Sequence, residues 1–102
     1  MRNQSKTQCE CRLTVIGARR DVQRFQNRAW ENILRARYCD PLQLSPGRFV
    51  CQFTTESHDL RRLQRLSRSQ PGLVLLLDFE FGRIKGLAKA KAGELEHCEI
   101  SY

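Results

Sequence analysis

Apolar and polar residues alternate over residues 9–16 of the chain. The apolar side of this alternation consists of Cys9, Cys11, Leu13 and Val15. A period of two residues is typical of a strand with one buried face, so we predict a half-buried strand that ends at Gly17.

The period changes to three or four residues between Asp21 and about Arg37, which predicts an amphipathic first helix. Its apolar stripe consists of Val22, Phe25, Ala29, Ile33 and Ala36. Proline disfavours a helical conformation in the residue before it, so the Cys-Asp-Pro run at 39–41 is expected to stop the helix.

The middle of the chain predicts a hairpin followed by a second helix. Residues 42–44 and 48–55 are strand-like and are separated by a Ser-Pro-Gly turn. Alternation turns Phe49, Cys51 and Phe53 inward. The second helix is expected over about 58–69, with Ser57 as its N-cap and a Pro-Gly pair at 71–72 beyond its end. Its apolar edge consists of Leu60, Leu63 and Leu66.

The clearest hairpin pattern comprises residues 73–81 and 83–91, with the turn expected at Phe81-Gly82. A two-residue loop there would pair opposite charges on one face of the hairpin and apolar groups on the other, which favours this register. The expected cross-strand pairs are Glu80 with Arg83, Asp78 with Lys85, Leu76 with Leu87, Phe79 with Ile84 and Leu75 with Ala88. A last segment, 95–102, is compatible with a further short strand.

In chain order these elements are β-α-β-β-α-β plus a C-terminal hairpin strand. We therefore expect an α+β fold of the ferredoxin-like type, a sandwich in which two helices cover one face of an antiparallel sheet. At 102 residues the chain has the size of one domain, predicted over 9–102 after a flexible N-terminus over 1–8.

Arginine dominates the charge of this chain, since 14 of its 18 basic residues are arginine and the net charge is +7. Most of these arginines fall in the two predicted helices, across from the apolar stripes. The candidate anion-binding residues are Arg20, Arg24, Arg28, Arg35, Arg61, Arg62, Arg65 and Arg68. Arginine forms bidentate contacts with phosphate and carboxylate groups, which favours a nucleic-acid partner. A compositional bias toward arginine is the open alternative.

Cysteine and histidine do not form a pattern typical of a metal or catalytic site. The five cysteines lack the paired spacing of zinc ligands, so we expect no metal and no cofactor. His58 and Asp59 are adjacent on a predicted helix and point in different directions, so we expect no enzyme. The polar N-terminus lacks the apolar stretch of a signal peptide, and an odd number of cysteines favours reduced thiols in the cytoplasm.

The outward face of the predicted sheet contains no aromatic residue, which argues against nucleic-acid bases stacking on it. It does contain a possible apolar patch, a candidate partner or dimer face. This patch consists of Val50, Val74, Leu76 and Leu87. The alternative is that residues 94–102 fold over it.

Two short motifs carry a family resemblance. The chain opens with Cys-Glu-Cys-Arg-Leu-Thr-Val-Ile-Gly at 9–17 and has Phe-Glu-Phe-Gly-Arg-Ile-Lys-Gly at 79–86. In both it resembles the small ferredoxin-like proteins of plasmids and phages, the YubB-type family. The resemblance implies a mobile-element origin and a fold, and it supplies no catalytic residues.

The sequence thus favours a small, basic, non-enzymatic binding module without a membrane role, which contacts nucleic acid or a nucleoprotein through its arginine-rich helix faces. Two alternatives stay open. One is an inhibitor or adaptor, such as a phage counter-defence protein, that acts by protein–protein contact. The other is a structural homodimer formed through the open sheet face.

Overall fold

The computed structural model describes residues 8–27, 30–56 and 59–102 of the chain. In this part of the chain six strands form one antiparallel sheet. They are β1 (Cys9–Ile16), β2 (Arg37–Ser45), β3 (Arg48–Thr55), β4 (Val74–Phe81), β5 (Ile84–Lys91) and β6 (Glu94–Ser101). Their order across the sheet is β2-β3-β1-β4-β5-β6, so β2 and β6 are its edges.

Three short helices cover one face of this sheet. They are α1 (Arg19–Gln26), α2 (Trp30–Leu34) and α3 (Leu60–Ser69). Their buried side chains join the inward residues of the strands in a single core. The face that the helices cover is called the inner face below, and the opposite one the outer face.

Trp30 organises the core beneath α1 and α2. Its ring stacks on Phe25, with centroids 5.7 Å apart, and meets Phe49 and Phe53 edge-on at 6.1 and 5.7 Å. Aromatic side chains bury a large apolar area in such offset and edge-to-face arrangements. The start of α2 is thereby packed against β3.

Two hydrogen bonds tie the β5–β6 turn to α3, and a third orients the serine hydroxyl within the helix. Gln64 Nε2 donates to the Gly93 carbonyl at 2.9 Å, and Ser67 Oγ accepts from the Gly93 amide at 2.9 Å while donating to the Gln64 carbonyl at 2.7 Å. Ala92 and Gly93 both have positive φ, at 52° and 87°, as a tight two-residue hairpin turn requires. The β5–β6 hairpin is therefore held against the helical layer at its turn.

The predicted fold class is wrong. The described part of the chain has six strands and three short helices, where a ferredoxin-like sandwich with two helices and one extra hairpin strand was expected. Only the coarser part of the prediction is confirmed: the molecule is an α+β fold with an antiparallel sheet.

The single first helix predicted over 21–37 is one source of this error. Helix α1 ends at Gln26, α2 comprises Trp30–Leu34, and Arg35 has a positive φ of 55°. In α2 the core is contacted by Trp30 and Leu34, whereas Ile33 is 39% exposed. The buried side of α2 thus lies one position later than the predicted stripe, because burying the indole removes a large apolar area from water. Ala29 of that stripe lies outside the described residues.

The predicted short strand at 42–44 is part of a longer strand, β2. This strand includes residues 39–41, which were expected to stop a helix. Proline is tolerated in a sheet at an edge, where its missing N–H faces solvent, and at bulges. Both conditions hold at Pro41, since β2 is an edge strand whose register with β3 shifts next to this residue.

The predicted register of the β4–β5 hairpin is shifted by two residues. Phe81 pairs with Ile84, Glu80 with Lys85 and Asp78 with Leu87, so the turn is Gly82-Arg83. Gly82 has a φ of 62°, and a tight turn places such a residue at its first central position. A shift of two residues leaves each side chain on its predicted face.

The first described residue is Gln8. Residues 1–7, which are most of the segment predicted to be a flexible N-terminus, therefore lie outside the described residues. Within the described helices none combines the length and the apolar character needed to span a bilayer.

Candidate polyanion-binding surface

Helix α3 separates an apolar face from an arginine face. Its sequence, Leu-Arg-Arg-Leu-Gln-Arg-Leu-Ser-Arg-Ser, contains four arginines and no acidic residue. Leu63 and Leu66 are buried in the core. Arg61, Arg65 and Arg68 are exposed, and Arg62 is half-buried. The arginines rise about 10 Å along the helix from the first to the last.

Asp59 caps α3 and holds its first two arginines. Its Oδ1 accepts from the Arg61 amide at 3.1 Å and from Arg61 Nε at 3.2 Å, and its Oδ2 lies 3.9 Å from Arg62 Nε. The hydrogen bond from the Arg61 side chain lowers the pKa of the Asp59 carboxyl and raises the pKa of Arg61. The predicted cap, Ser57, lies outside the described residues together with His58.

Helix α1 adds further arginines to the same side of the sheet. Arg19, Arg20 and Arg24 are exposed, and Arg24 lies 3.8 Å from the carboxylate of Asp21. Asp21 also packs against Gly72, so closely that a β-carbon on Gly72 would come within 2.7 Å of its carboxylate. This contact places the first turn of α1 beside the loop that follows α3.

The remaining predicted arginines lie apart from these two helices. Arg28 falls outside the described residues. Arg35 is exposed but follows α2 in a left-handed conformation, so it does not extend the stripe of α1. The neighbouring Arg37 begins β2 and lies 3.8 Å from Glu56. The structure therefore gathers Arg20 and Arg24 on α1 and the four arginines on α3.

Several of these arginines have no acidic partner within the ranges that the structure describes. Ion pairs of 4.0 Å or less engage Arg24, Arg61 and Arg62, each only at the end of its helix. No such ion pair is formed there by Arg19, Arg20, Arg65 and Arg68. These four side chains, two on α1 and two on α3, are the principal members of the candidate set.

The outer face of the sheet has a different charge pattern. On this face each basic side chain of β1 and β5 stands opposite an acidic residue in the strand register. The pairs are Arg12 with Asp78, Lys85 with Glu80, Lys89 with Glu96, and Lys91 with Glu94. Positive and negative charges alternate across this face, whereas α3 presents positive charge alone.

The predicted apolar patch on the outer face is only partly accessible. Val50 is buried between its neighbours, Val74 and Leu76 are half-buried, and Leu87 is 53% exposed. Residues 94–102 do not fold over this patch, because β6 pairs along β5 and extends the sheet sideways.

Two tyrosines on the outer side were missed by the sequence analysis. Tyr38 lines a shallow depression with Glu10 and Thr54. Tyr102 donates a hydrogen bond from its hydroxyl to Glu80, which raises the pKa of Tyr102. Tyr38 has a positive φ and Tyr102 follows the last strand, so the alternation pattern did not place either of them. The glutamates beside both rings would repel a phosphate backbone.

The buried thiols are packing groups in this fold. Cys9 and Cys11 lie side by side on the inner face of β1, with Sγ atoms 3.7 Å apart. The hydrogen bond with Cys9 and burial raise the pKa of the Cys11 thiol, and burial raises that of Cys51 to about 11. Among the described residues, no three metal-ligating side chains come together.

Arg19 and Asp59 belong to the candidate surface but not to the residues predicted from the sequence. Arg19 precedes the predicted start of the first helix, yet α1 begins at this residue. Asp59 follows the predicted cap Ser57 by two residues. Its position directly before a Leu-Arg-Arg run is a cap pattern that could have identified it.

No protein-family model, curated protein or solved structure matches this chain.

Proposed function

We propose that this protein binds a polyanion, nucleic acid or a nucleoprotein, through the arginine surface of α1 and α3. The observation that carries the proposal is the contrast between the two sides of the molecule. The outer face sets each lysine of β5 opposite a glutamate, while α3 carries four arginines and no acidic residue. Arg65 and Arg68 have no ion pair among the described residues, and positive charge that is not offset by carboxylates attracts a phosphate backbone.

Arg19, Arg20, Arg65 and Arg68 are the principal contacts in this proposal. Guanidinium groups are weakly hydrated and present a planar fork that matches two phosphate oxygens. Arg24, Arg61 and Arg62 contribute less, because Asp21 and Asp59 offset part of their charge. The proposal includes no catalytic step. The YubB-type resemblance, the mobile-element origin and the cytoplasmic location stay predictions.

The proposal predicts that removal of the helical arginines weakens binding more than removal of the same charge elsewhere. We expect Arg20→Ser, Arg65→Ser and Arg68→Ser together to weaken the binding of a short duplex by about tenfold or more at low salt. The matched control is Lys85→Ser, Lys89→Ser and Lys91→Ser, which removes the same charge from the outer face. A mobility shift with circular dichroism of both variants provides the measurement.

Equal weakening by the two triple variants would contradict the proposal, since only net charge would then matter. So would a wild-type protein that gives no shift at low salt. The alternative of a protein partner on the outer face has less support, because Val50, Val74 and Leu76 are largely covered by their neighbours.

A further inference from the structure

A groove lies on the inner face of the sheet, where α1 meets the turn end of the β2–β3 hairpin. Its walls include Arg19, Gln23 and Gln26 of α1, and Leu44 and Pro46 of the hairpin. The volume is about 220 Å³, which is below the range of about 300–1,000 Å³ that is usual for pockets of drug-sized ligands. The groove is therefore suited to one ring system that belongs to a larger ligand.

One wall of the groove is apolar and exposed. Leu44 pairs with Phe49 in the strand register, so its side chain is on the face that carries the helices. Phe49 is buried, yet Leu44 is 65% exposed, because α1 packs against β3 and leaves the edge strand β2 largely uncovered. Pro46 extends this wall beyond the end of β2. The fold thus leaves apolar surface beside the flank of α1.

The opposite wall supplies hydrogen-bonding groups and positive charge. Arg19, Gln23 and Gln26 follow a spacing of four and three residues, so they form one stripe along α1. Each glutamine carries a donor and an acceptor side by side, and the described residues that line the groove include no acidic side chain. Two grooves of the outer face, by contrast, both contain Glu10. The inner groove is therefore compatible with a neutral polar ring attached to an anion.

The two walls are held in place relative to each other. The Gly17 amide, just before α1, donates to the Gly47 carbonyl of the β2–β3 turn at 3.2 Å. A β-carbon on Gly47 would come within 3.0 Å of the Gly17 carbonyl oxygen, so the turn closely approaches the start of α1. Val22, at the base of the groove, is 1% exposed and anchors the helix in the core. Because the groove is already formed, a ligand orders little of the protein on binding.

We propose that this groove receives one unpaired base of a single-stranded nucleic acid whose adjoining phosphates contact Arg19 and Arg20. The inference rests on the proposed function and names the class of nucleic acid that the surface selects. An unpaired base exposes the donors and acceptors of its edge, which a glutamine carboxamide can bind in pairs. The apolar wall of Leu44 and Pro46 covers a face of the base. A duplex keeps its bases paired and stacked, so it engages the arginines alone.

Abasic strands test this inference with the wild-type protein. A labelled single strand and an abasic strand of the same length carry the same phosphates and differ only in their bases. Fluorescence anisotropy at one salt concentration should show that the strand with bases binds about tenfold more tightly. Equal affinities would overturn the base site and leave polyanion binding through the arginines intact. If neither strand binds, the proposed function is contradicted as well.

A pair of neutral double variants locates the bound base. Gln23→Ala with Leu44→Ser removes one group from each wall, and both side chains are exposed, so the fold should tolerate the change. The matched control is Gln43→Ala with Leu42→Ser, which replaces the same residue types on β2 at positions that do not line the groove.

We expect the groove variant to lose the preference for the strand with bases and to bind the abasic strand as wild type does, while the control keeps the preference. A preference that survives in the groove variant, or that the control also loses, would place the bases elsewhere and overturn the proposal. Circular dichroism checks that both variants fold, and the comparison of strands with wild type does not depend on either of them.

Discussion

At the scale of single residues, Asp59 links the stability of α3 to the charge of the arginine surface. It accepts the Arg61 amide as the helix cap and also engages the side chains of Arg61 and Arg62. One carboxylate therefore orders the helix start and offsets positive charge there. Its removal should have opposite effects on folding and on polyanion binding.

We expect Asp59→Asn to tighten polyanion binding, since both arginines then keep their full charge, while costing little of the cap. Asp59→Ala should lower the free energy of unfolding by about 1 kcal/mol. In the folded protein the hydrogen bond from the Arg61 side chain holds the pKa of the Asp59 carboxyl below its ordinary value of 3.8. Its charge therefore stabilises the fold above that pH, and this contribution is lost as pH falls through the lowered pKa.

Chemical denaturation of wild type and D59N at pH 7 and at acidic pH would measure this contribution. The difference between the two proteins should be largest at pH 7 and should vanish in acid. A difference that grows toward low pH would have the wrong sign for a lowered pKa. Fluorescence anisotropy with a labelled duplex would report the gain in affinity.

A second prediction at the residue scale concerns the stability of the protein when Gly86 is replaced by alanine. It pairs with Phe79 across β4 and β5, and a β-carbon there would come within 2.3 Å of the Phe79 ring. Gly86→Ala should therefore displace a buried ring and lower stability by about 1–3 kcal/mol. Lys85→Ala, one residue earlier on the exposed outer face, is the control, and thermal denaturation should show little change for it.

At the scale of elements, local sequence patterns predicted which residues form strands and which of them face inward better than they predicted strand register and the positions of turns. The alternation at 9–16 and the inward Phe49, Cys51 and Phe53 agree with the buried positions of β1 and β3. The predicted register of β4 with β5 is wrong because it places Phe81 at the first central position of the turn, where a two-residue hairpin needs a positive φ that Gly82 adopts readily. The turn residue fixes a hairpin more strongly than exposed ion pairs do.

The prediction of a single first helix is wrong because tertiary packing, rather than the local period, decides which residues are buried. Its periodic stripe gave equal weight to Ile33 and to smaller residues, while the packing of Trp30 against Phe25, Phe49 and Phe53 decides which face is buried. Two of those contacts, to Phe49 and Phe53, join Trp30 to residues 19 and 23 positions further along the chain. A local period does not contain this information.

The attachment of the β5–β6 turn to α3 is an element-scale prediction. Ser67 is fully buried and accepts the Gly93 amide, so Ser67→Ala should leave that donor unpaired and cost about 1–2 kcal/mol. Ser69→Ala removes a comparable hydroxyl that bonds only to Leu66 of its own helix, and it should be nearly neutral. Urea denaturation of both variants would separate these outcomes, and equal effects would refute the attachment.

At the scale of the whole molecule, the fold sorts charges that are mixed along the sequence. The helices place arginines on one side, and the strand register sets the lysines of β5 opposite glutamates on the other. The sequence predicted two arginine stripes, and it could not show which basic residues would find acidic neighbours. That distinction depends on the pairing of β4, β5 and β6.

The salt dependence of duplex binding tests this claim most directly. For duplex DNA, the logarithm of the binding constant falls with the logarithm of salt concentration with a slope of about −0.9 for each phosphate neutralised. We predict that Arg65→Ser with Arg68→Ser reduces the magnitude of this slope by about 2, while Lys89→Ser with Lys91→Ser leaves it unchanged. Equal changes in slope for both pairs, or a larger one for the lysines, would contradict binding through the helical side.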